Sequence, residues 1–305
     1  MTKAEVVVVG SYNHDVVLSV AHLPAPGETC LSLGRLESPG GKGSNQAVQA
    51  ARCGARVAML AAIGADAPGD AALEVWATNG IDAAGAARLS GQATGMAMIL
   101  VDAHGENCIV VDPGANAHLA PSHVAAAAPV IISAGLVLAQ LETPVEATRR
   151  AFEIARAAGV TTALNAAPAP EAIDAGLLAL TDILFVNEVE AQAMTGDANP
   201  TAAGAALLAR VGQAVVVTLG KDGAMLLRKD QPDLTQAAHA ITVVDTTGAG
   251  DAFIGAFTAH MAKVGDYGQA MAWGAAAGAL ACTRMGAVSS YADAEQISRL
   301  LAALA

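Results

Sequence analysis

The sequence predicts an α/β fold: a doubly wound, mainly parallel sheet covered on both faces by helices, with a small β-sheet lid at one edge. Three observations carry this expectation. Short aliphatic runs alternate with helical stretches along the chain. The runs are continuously apolar, as strands buried on both faces are. Two segments break the rhythm, each reading strand, turn, strand with no helix between.

In chain order the strand-like runs are Val6 to Val9, Val57 to Ile63, part of Val130 to Leu141, Val160 to Leu164, Ile183 to Val186 and Ala214 to Leu219. ITVV, Ile241 to Val244, reads as a further strand before the last glycine-rich motif. Helical spacing marks Ser44 to Cys53, Pro144 to Ala158, Thr201 to Val211, Asp251 to Val264 and Asp293 to Leu301. Gly54 stands where it can close the first of these helices. Tyr267 to Thr283 is uncharged but rich in alanine and glycine. It falls short of the roughly 20 strongly apolar residues of a membrane span, so a buried helix is expected. The helix-free segments are Val16 to Leu36 and Gly95 to Val111, the second turning at Asp102 to Glu106. Two hairpins of this kind do not join a parallel core cheaply, so they are expected to form a separate small sheet, a flap over one edge of the main domain. The expected organisation is a single domain over residues 1–305, with a lid formed by about residues 12–38 and 93–112.

Composition narrows the function. A chain of 305 residues with 54% hydrophobic content has ample material for a core. The formal net charge of -12 provides no general attraction to nucleic acid or an anionic membrane, so neither partner is expected. A nucleotide can still bind through local donors. Cys30, Cys53, Cys108 and Cys282 form no CxxC pair and the histidines no HExxH, which points away from a zinc site or a disulfide framework. Only five residues precede the first strand-like run, too few for a signal peptide, and a reducing cytoplasm is the expected location.

DTTGAGDAF, Asp245 to Phe253, carries the chemistry. It opens a helix marked by Phe253, Phe257 and Met261, at the end of the sheet where parallel folds place their ligand crevice. Gly248, Ala249 and Gly250 lack bulk, so their backbone N–H groups can face an anion at a helix N-terminus. Such a cradle stabilises charge developing on a transferring phosphoryl group. Asp251 stands against it, placed to accept the proton of an attacking hydroxyl. The plainer alternative is an ordinary helix start with an acidic first turn.

Other stretches add context. SPGGKGSNQAVQAARCG, Ser38 to Gly54, is not a Walker loop, because Leu36 and Gly43 stand where that motif needs glycine and Ser or Thr. Gly41 and its neighbours let backbone approach a ligand, while Lys42 and Asn45 offer donors to sugar hydroxyls; a tight loop is the alternative. In GSYNHD, Asn13 and Asp15 share a face if the chain is extended, making either a clamp for vicinal hydroxyls or a polar turn. Glu142 ends an apolar strand, where a carboxylate needs a partner and so borders a polar site. In FVNEVEA, Asn187 and Glu190 can order the water shell of Mg²⁺, with helix capping as the competing reading. Thr218, Leu219, Gly220, Lys221, Asp222 and Gly223 form a strand and turn that fit a plain hairpin equally well.

Taken together, GSxNxD, PGET, GGKGSN, PGANA, LE, NxxE, TLGxxG and DTTGAGD, in that order from about Val6 to Ser290, resemble the ribokinase branch of the PfkB carbohydrate kinases. The resemblance implies ATP-dependent phosphorylation of a sugar hydroxyl, and a lid that also serves as the interface of a homodimer. It implies sugar ligands at Asn13, Asp15, Gly41, Lys42, Asn45 and Glu142. Asp251 would be the base and Gly248 to Gly250 the anion hole. Thr218 to Gly223 would border the nucleotide, Asn187 its phosphates, and Glu190 a magnesium water network. A potassium site, bound largely by carbonyls, is implied at Asp245, Thr247, Ala281, Arg284, Gly286 and Ser290.

Departures from the pattern leave the reaction type intact. Ala275 stands where the family often places an asparagine near adenine, and NAAPAP, Asn165 to Pro170, replaces NPAP. Tyr12 and His14 flank the sugar clamp and alternate with it, so they are expected to point elsewhere. Three functions follow: a ribokinase-like ATP:sugar phosphotransferase with D-ribose as first substrate, a related kinase for another small sugar, polyol or nucleoside, and a non-catalytic sugar or nucleotide sensor.

Overall fold

A computed structural model of the chain describes residues 3–169 and 173–303. The last proline of NAAPAP lies outside the described residues. The chain opens with β1 (Val6–Val9), β2 (Asn13–Ser19), β3 (Gly34–Gly40), α1 (Lys42–Arg52) and β4 (Val57–Leu60). It continues through β5 (Ala62–Gly64), α2 (Ala67–Thr78), β6 (Ala87–Leu89), β7 (Gly95–Val101) and β8 (Asn107–Asp112) to α3 (Pro121–Ala126), α4 (Ala128–Ile132) and β9 (Leu136–Ala139). There follow α5 (Val145–Ala157), β10 (Thr161–Asn165), α6 (Ala175–Ala179), β11 (Ile183–Asn187), α7 (Glu188–Thr195), α8 (Pro200–Leu208) and β12 (Ala214–Thr218). The last elements are β13 (Ala224–Arg228), β14 (Gln231–Gln236), α9 (Ala249–Val264), α10 (Tyr267–Ala281) and α11 (Ala294–Ala302).

The main sheet has eight strands in the order β14-β13-β12-β11-β10-β9-β1-β4. From β12 to β4 the neighbours are parallel, and β13 and β14 complete one edge antiparallel. Alternate side chains of each parallel strand enter opposite cores. Val6, Val8, Leu136 and Phe185 pack with α1, α9 and α10, while Val7, Val9, Val137 and Leu184 pack with α5 and α8. Burial on both faces is why these strands are continuously aliphatic. The expected doubly wound architecture is present.

The two helix-free segments form a second sheet, β3-β2-β7-β8. Parallel pairing of β2 with β7 joins the antiparallel pairs β2/β3 and β7/β8. The strands of the first pair are separated by a long connection between Ser19 and Gly34, so only the second is a tight hairpin.

Two local expectations are corrected and a third, the partial strand within Val130 to Leu141, is borne out and narrowed. The run Val57 to Ile63 is two strands, because the Ala61 carbonyl accepts the N–H of Ala87 and the chain leaves the main sheet to pair β5 with β6. Within Val130 to Leu141, the first residues belong to α4 and only β9 is strand. ITVV forms no strand and joins no ladder; Val244 donates its N–H to the Cys282 carbonyl at the end of α10, and Val243 and Val244 stay largely exposed. Its β-branched composition fits a strand, but β propensity is expressed through packing against sheet neighbours, and among the described residues it has none.

α1 and α9 cross closely. A Cβ placed on Gly255 of α9 would stand 2.6 Å from the Gln46 carbonyl oxygen and 2.7 Å from the Gln49 Cβ of α1. Gly255→Ala is therefore expected to destabilise the protein by roughly 1–3 kcal/mol through overpacking. Urea unfolding would register this as a lower midpoint at unchanged slope, and an unchanged midpoint would refute the close-packing argument.

Candidate active site

Strand order reverses between β1 and β9, and in parallel sheets the ligand crevice opens beyond the carboxyl ends at that point. The chain leaving β1 carries Ser11, and the chain leaving β9 carries Gln140 and Glu142. They meet across the crevice: Glu142 Oε2 accepts Ser11 Oγ–H at 2.5 Å and the Lys42 N–H at 2.9 Å. The carboxylate that needed a partner therefore has two.

Glycines bring α1 to this place. Gly41 has φ 84°, and a Cβ there would meet Asn13 N at 2.7 Å and Tyr12 Cα at 2.8 Å. At Gly40 the added atom would collide with the Asp15 carboxylate. The GGKG stretch is bare because it passes against the segment carrying the sugar-clamp candidates.

The side chains of α1 then reach α9. Asn45 Nδ2 donates to Asp251 Oδ2 at 3.0 Å, and Gln46 Nε2 donates to Asp251 Oδ1 at 2.8 Å. Gln46 Nε2 also donates to Asn165 Oδ1 at 3.0 Å, while its Oε1 accepts Gln140 Nε2–H at 2.6 Å. Asn45 Oδ1 is buried with no partner among the described residues, an acceptor a ligand hydroxyl could satisfy. Asn13 is held by Asn116, whose Nδ2 donates to Asn13 Oδ1 at 2.8 Å and whose Oδ1 accepts the Tyr12 N–H at 3.0 Å. Asn13 and Asp15 lie two apart in β2, as the shared face requires. Tyr12 packs edge-on against Trp76 at 5.8 Å and His14 contacts Glu37 at 2.7 Å, so both point away from the clamp.

Gly248 is the residue before α9 and takes φ 74°, a left-handed conformation suited to glycine. Gly250 lies within the helix, and a Cβ there would meet nothing within 4 Å. Its bare Cα faces two cavities. One, of about 140 Å³, is lined by Lys42, Asn187, Glu190, Gly248, Gly250 and Asp251 among others. The second, of about 480 Å³, shares Gly250 and Thr218 with it and is lined by Gly220, Lys221, Gly223 and Ala275. Leu219 and Asp222 do not line it; Leu219 packs on the aliphatic core.

A family model described as pfkB family carbohydrate kinase matches residues 3–294. The chain belongs to that family.

Within the PfkB family, the ribokinase of Haemophilus influenzae is 37% identical over 299 residues, covering 96% of this chain and 97% of that protein. The deoxyribokinase of Salmonella typhimurium is 32% identical over 308 residues, covering 97% of this chain and 98% of that protein. The solved structure of Arabidopsis thaliana ribokinase complexed with ribose and ATP superposes with a TM-score of 0.91 at 29% identity, covering 98% of this chain and 99% of that one.

The remaining PfkB candidates divide. Asn187 and Glu190 form a reciprocal cap on α7: Asn187 Oδ1 accepts the Glu190 N–H and Glu190 Oε2 accepts the Asn187 N–H, each at 2.8 Å. The capping geometry is therefore real, and both residues nonetheless line the smaller cavity. The hairpin geometry of Thr218 to Gly223 is equally real, since β12 and β13 pair across it. Asp245 accepts the N–H and hydroxyl of Thr247 and the N–H of Gly286, drawing the loop after α10 against the DTTGAGD motif. Ala281, Arg284 and Ser290 flank that loop, and the Ala281 carbonyl accepts the Arg284 N–H. Among the described residues no group of three His, Cys, Asp or Glu side chains gathers to hold a metal.

Sequence reasoning missed Ser11, Gln46, Asn116, Gln140 and Asn165 as site residues. One usable signal was present: α1 carries Ser44, Asn45, Gln46 and Gln49, all buried, and a run of buried amides is unusual for a helix that packs on a sheet.

Charge is concentrated here. Asp251, then Glu142 and Glu190, hold the Lys42 ammonium above its ordinary value against the opposing effect of burial. Burial pushes Asp15 up to about 7, with Glu142 and Asp251 adding to it and His14 opposing. The folded protein thus binds a proton that the unfolded chain releases near 3.8, so Asp15's contribution to stability is complete below that value and is lost as pH rises through about 7. Without sugar, Asp15→Asn should gain stability relative to the parent between about pH 5 and about pH 8. Urea unfolding of both proteins at each pH checks this; a constant difference would contradict it.

Proposed function

We propose that this PfkB-family chain is an ATP-dependent sugar kinase acting on D-ribose to give ribose 5-phosphate. One observation carries the reading. Asp251 is gripped by α1 beside Lys42 and Asn45, at the foot of a bare helix N-terminus that faces both cavities. The likeness to ribokinases, one of them solved with ribose and ATP, supports the choice of substrate.

In this scheme Asn13, Asp15, Gly41, Lys42, Asn45 and Glu142 surround the sugar. Its hydroxyl oxygen attacks the γ-phosphorus, the hydroxyl proton passes to Asp251, and the bond from γ-phosphorus to the ADP oxygen breaks. The N–H groups of the Gly248–Gly250 turn receive the charge on the phosphoryl oxygens. The larger cavity, with Lys221 at its rim and Ala275 in its wall, holds the nucleotide. Its size suits a nucleoside, and Ala275 leaves the base without an asparagine amide at that position.

Mg²⁺ fits the smaller cavity through water rather than as a direct cage. Glu190 commits Oε2 to the α7 cap and has Oε1 for a water of the ion's shell, with Asn187 beside the phosphates. K⁺ would sit at Asp245, Thr247, Ala281, Arg284, Gly286 and Ser290, where a fixed cation would steady the loop packed against the anion hole. The whole chain acts as a single domain, in which the small sheet closes over the sugar and excludes water. Ile109, Val110 and Val111 of β8 are 53%, 65% and 53% exposed, which supports a homodimer built through that sheet. Among the described residues no helix is long and apolar enough to cross a membrane, and cytoplasmic action is the proposed setting.

The deciding assay offers purified protein Mg·ATP and a panel containing ribose, 2-deoxyribose, hexoses and nucleosides, with ADP release as readout. Asp251→Asn is expected to lower kcat by roughly 10²–10⁴-fold while sugar binding, measured by calorimetry, persists. Near-normal turnover in that variant would remove Asp251 as the base. At constant ionic strength, activity should rise with K⁺ and much less with Na⁺. Equal rates in the two salts would eliminate the cation site.

A further inference from the structure

We infer that Tyr291 is a positioning residue for phosphoryl transfer, its buried hydroxyl fixing the peptide unit from which the anion-binding turn begins. The inference rests on reading the Gly248–Gly250 turn as the anion hole, and it concerns a residue that lines neither cavity.

Tyr291 is 3% exposed and lies in the core cluster shared by α1, α9 and α10. A phenol in such a place needs a partner for its hydroxyl. Its partner is the Gly248 carbonyl oxygen, at 3.2 Å. The same oxygen accepts the first helical bond of α9, from the Ala252 N–H at 2.8 Å. Burial, with the Asp251 carboxylate adding to it, pushes the Tyr291 phenol well above its ordinary value, so it remains a donor.

The contact also explains the glycine. A Cβ on Gly248 would stand 2.6 Å from the Tyr291 hydroxyl oxygen and 2.8 Å from the Ala287 Cβ. The turn is thus seated against the 287–291 segment, and that segment is itself anchored. Arg52 donates from one guanidinium nitrogen to the carbonyls of Val288, at 2.7 Å, and Tyr291, at 2.9 Å, and Gln49 Nε2 donates to the Ala292 carbonyl at 2.9 Å. Arg52 and Gln49 lie on α1, the helix that supplies Lys42, Asn45 and Gln46. One end of α1 grips Asp251; its other end, through Tyr291, braces the turn that would receive the phosphoryl oxygens.

The chemistry follows from the direction of the bond. A hydroxyl donating to the Gly248 carbonyl orients and polarises the Gly248–Ala249 peptide, and hydrogen bonds in series strengthen one another. Anion-hole donors act on charge that is fully developed only in the transition state, so a misaligned turn costs turnover more than substrate affinity. Tyr291 lines neither cavity and its hydroxyl is committed to the Gly248 carbonyl, so ground-state binding is expected to change little.

The test is Tyr291→Phe in the full chain, which keeps the ring and deletes only the hydroxyl. With Mg·ATP and ribose, kcat is expected to fall about tenfold, the loss of one hydrogen bond, with both KM values within about twofold. Calorimetry supplies a second arm: affinity for ADP should hold, while affinity for ADP with aluminium fluoride, a mimic of the transferring phosphoryl group, falls about tenfold. Unchanged kcat would overturn the inference, as would equal loss of affinity for ADP and for the fluoride complex. The affinity ratio requires no turnover and is insensitive to the folded fraction. A parent protein inactive on every sugar would therefore sink the proposed function, while the ratio still decided the role of Tyr291.

Discussion

The grip of two α1 amides on the Asp251 carboxylate is the constraint around which the site is arranged. Gln46 can present its NH₂ to Asp251 and Asn165 only because Gln140 occupies its carbonyl oxygen, so the amide has one satisfactory orientation. Asn45 completes the hold from the other oxygen. The two helices must lie close for these short side chains to meet, and Gly255 permits that approach. Sheet topology, helix crossing and carboxylate orientation are thus successive consequences of one another.

Charge is sorted across Gly250. On one side Asp251, Glu142 and Glu190 act on the ammonium of Lys42, and Asp15 stands among the same carboxylates, raised by Glu142 and Asp251. On the other, the lining of the larger cavity contains Lys221 and no carboxylate. A polyol suits the first environment, because hydroxyls can donate to crowded carboxylates without bringing further negative charge. On the proposed reading a nucleoside suits the second, its phosphates reaching Gly250, which both cavities share, where the helix N-terminus favours negative charge.

Much of this was legible in the sequence, for identifiable reasons. Strands buried on both faces announce themselves as aliphatic runs, and the change of rhythm at the two helix-free segments separates the small sheet from the large one. DTTGAGD was legible because the positive φ at Gly248 calls for glycine, and because Gly250, with open space before it, leaves the helix start bare toward both cavities. ITVV was misleading: its β-branched composition reads as a strand, yet among the described residues the segment pairs with no neighbouring strand and leaves Val243 and Val244 largely exposed. The amide network escaped notice because Gln46 meets Asn165 across 119 positions and Asp251 across 205, and such bonds impose no local period. Asn116, within PGANA, braces Asn13 for the same reason invisibly. At Asn187 and Glu190 capping and site lining, set out as rivals, are both satisfied by the same pair of side chains.

Asn13 pairs with Gly40 and with Gly95 at the first rung of the small sheet, so it is part of that sheet and not of the large one. On the proposed reading, Asn13 and Asp15 meet the sugar from the sheet that closes over it, while Lys42, Asn45 and Glu142 meet it from α1 and the end of β9. Any tilt of the outer strands is transmitted directly to the hydroxyl clamp. Selectivity among pentoses would then depend on how the two sets of contacts are held relative to each other, and β7, paired with β2 along its length, shares in setting the position of the first set.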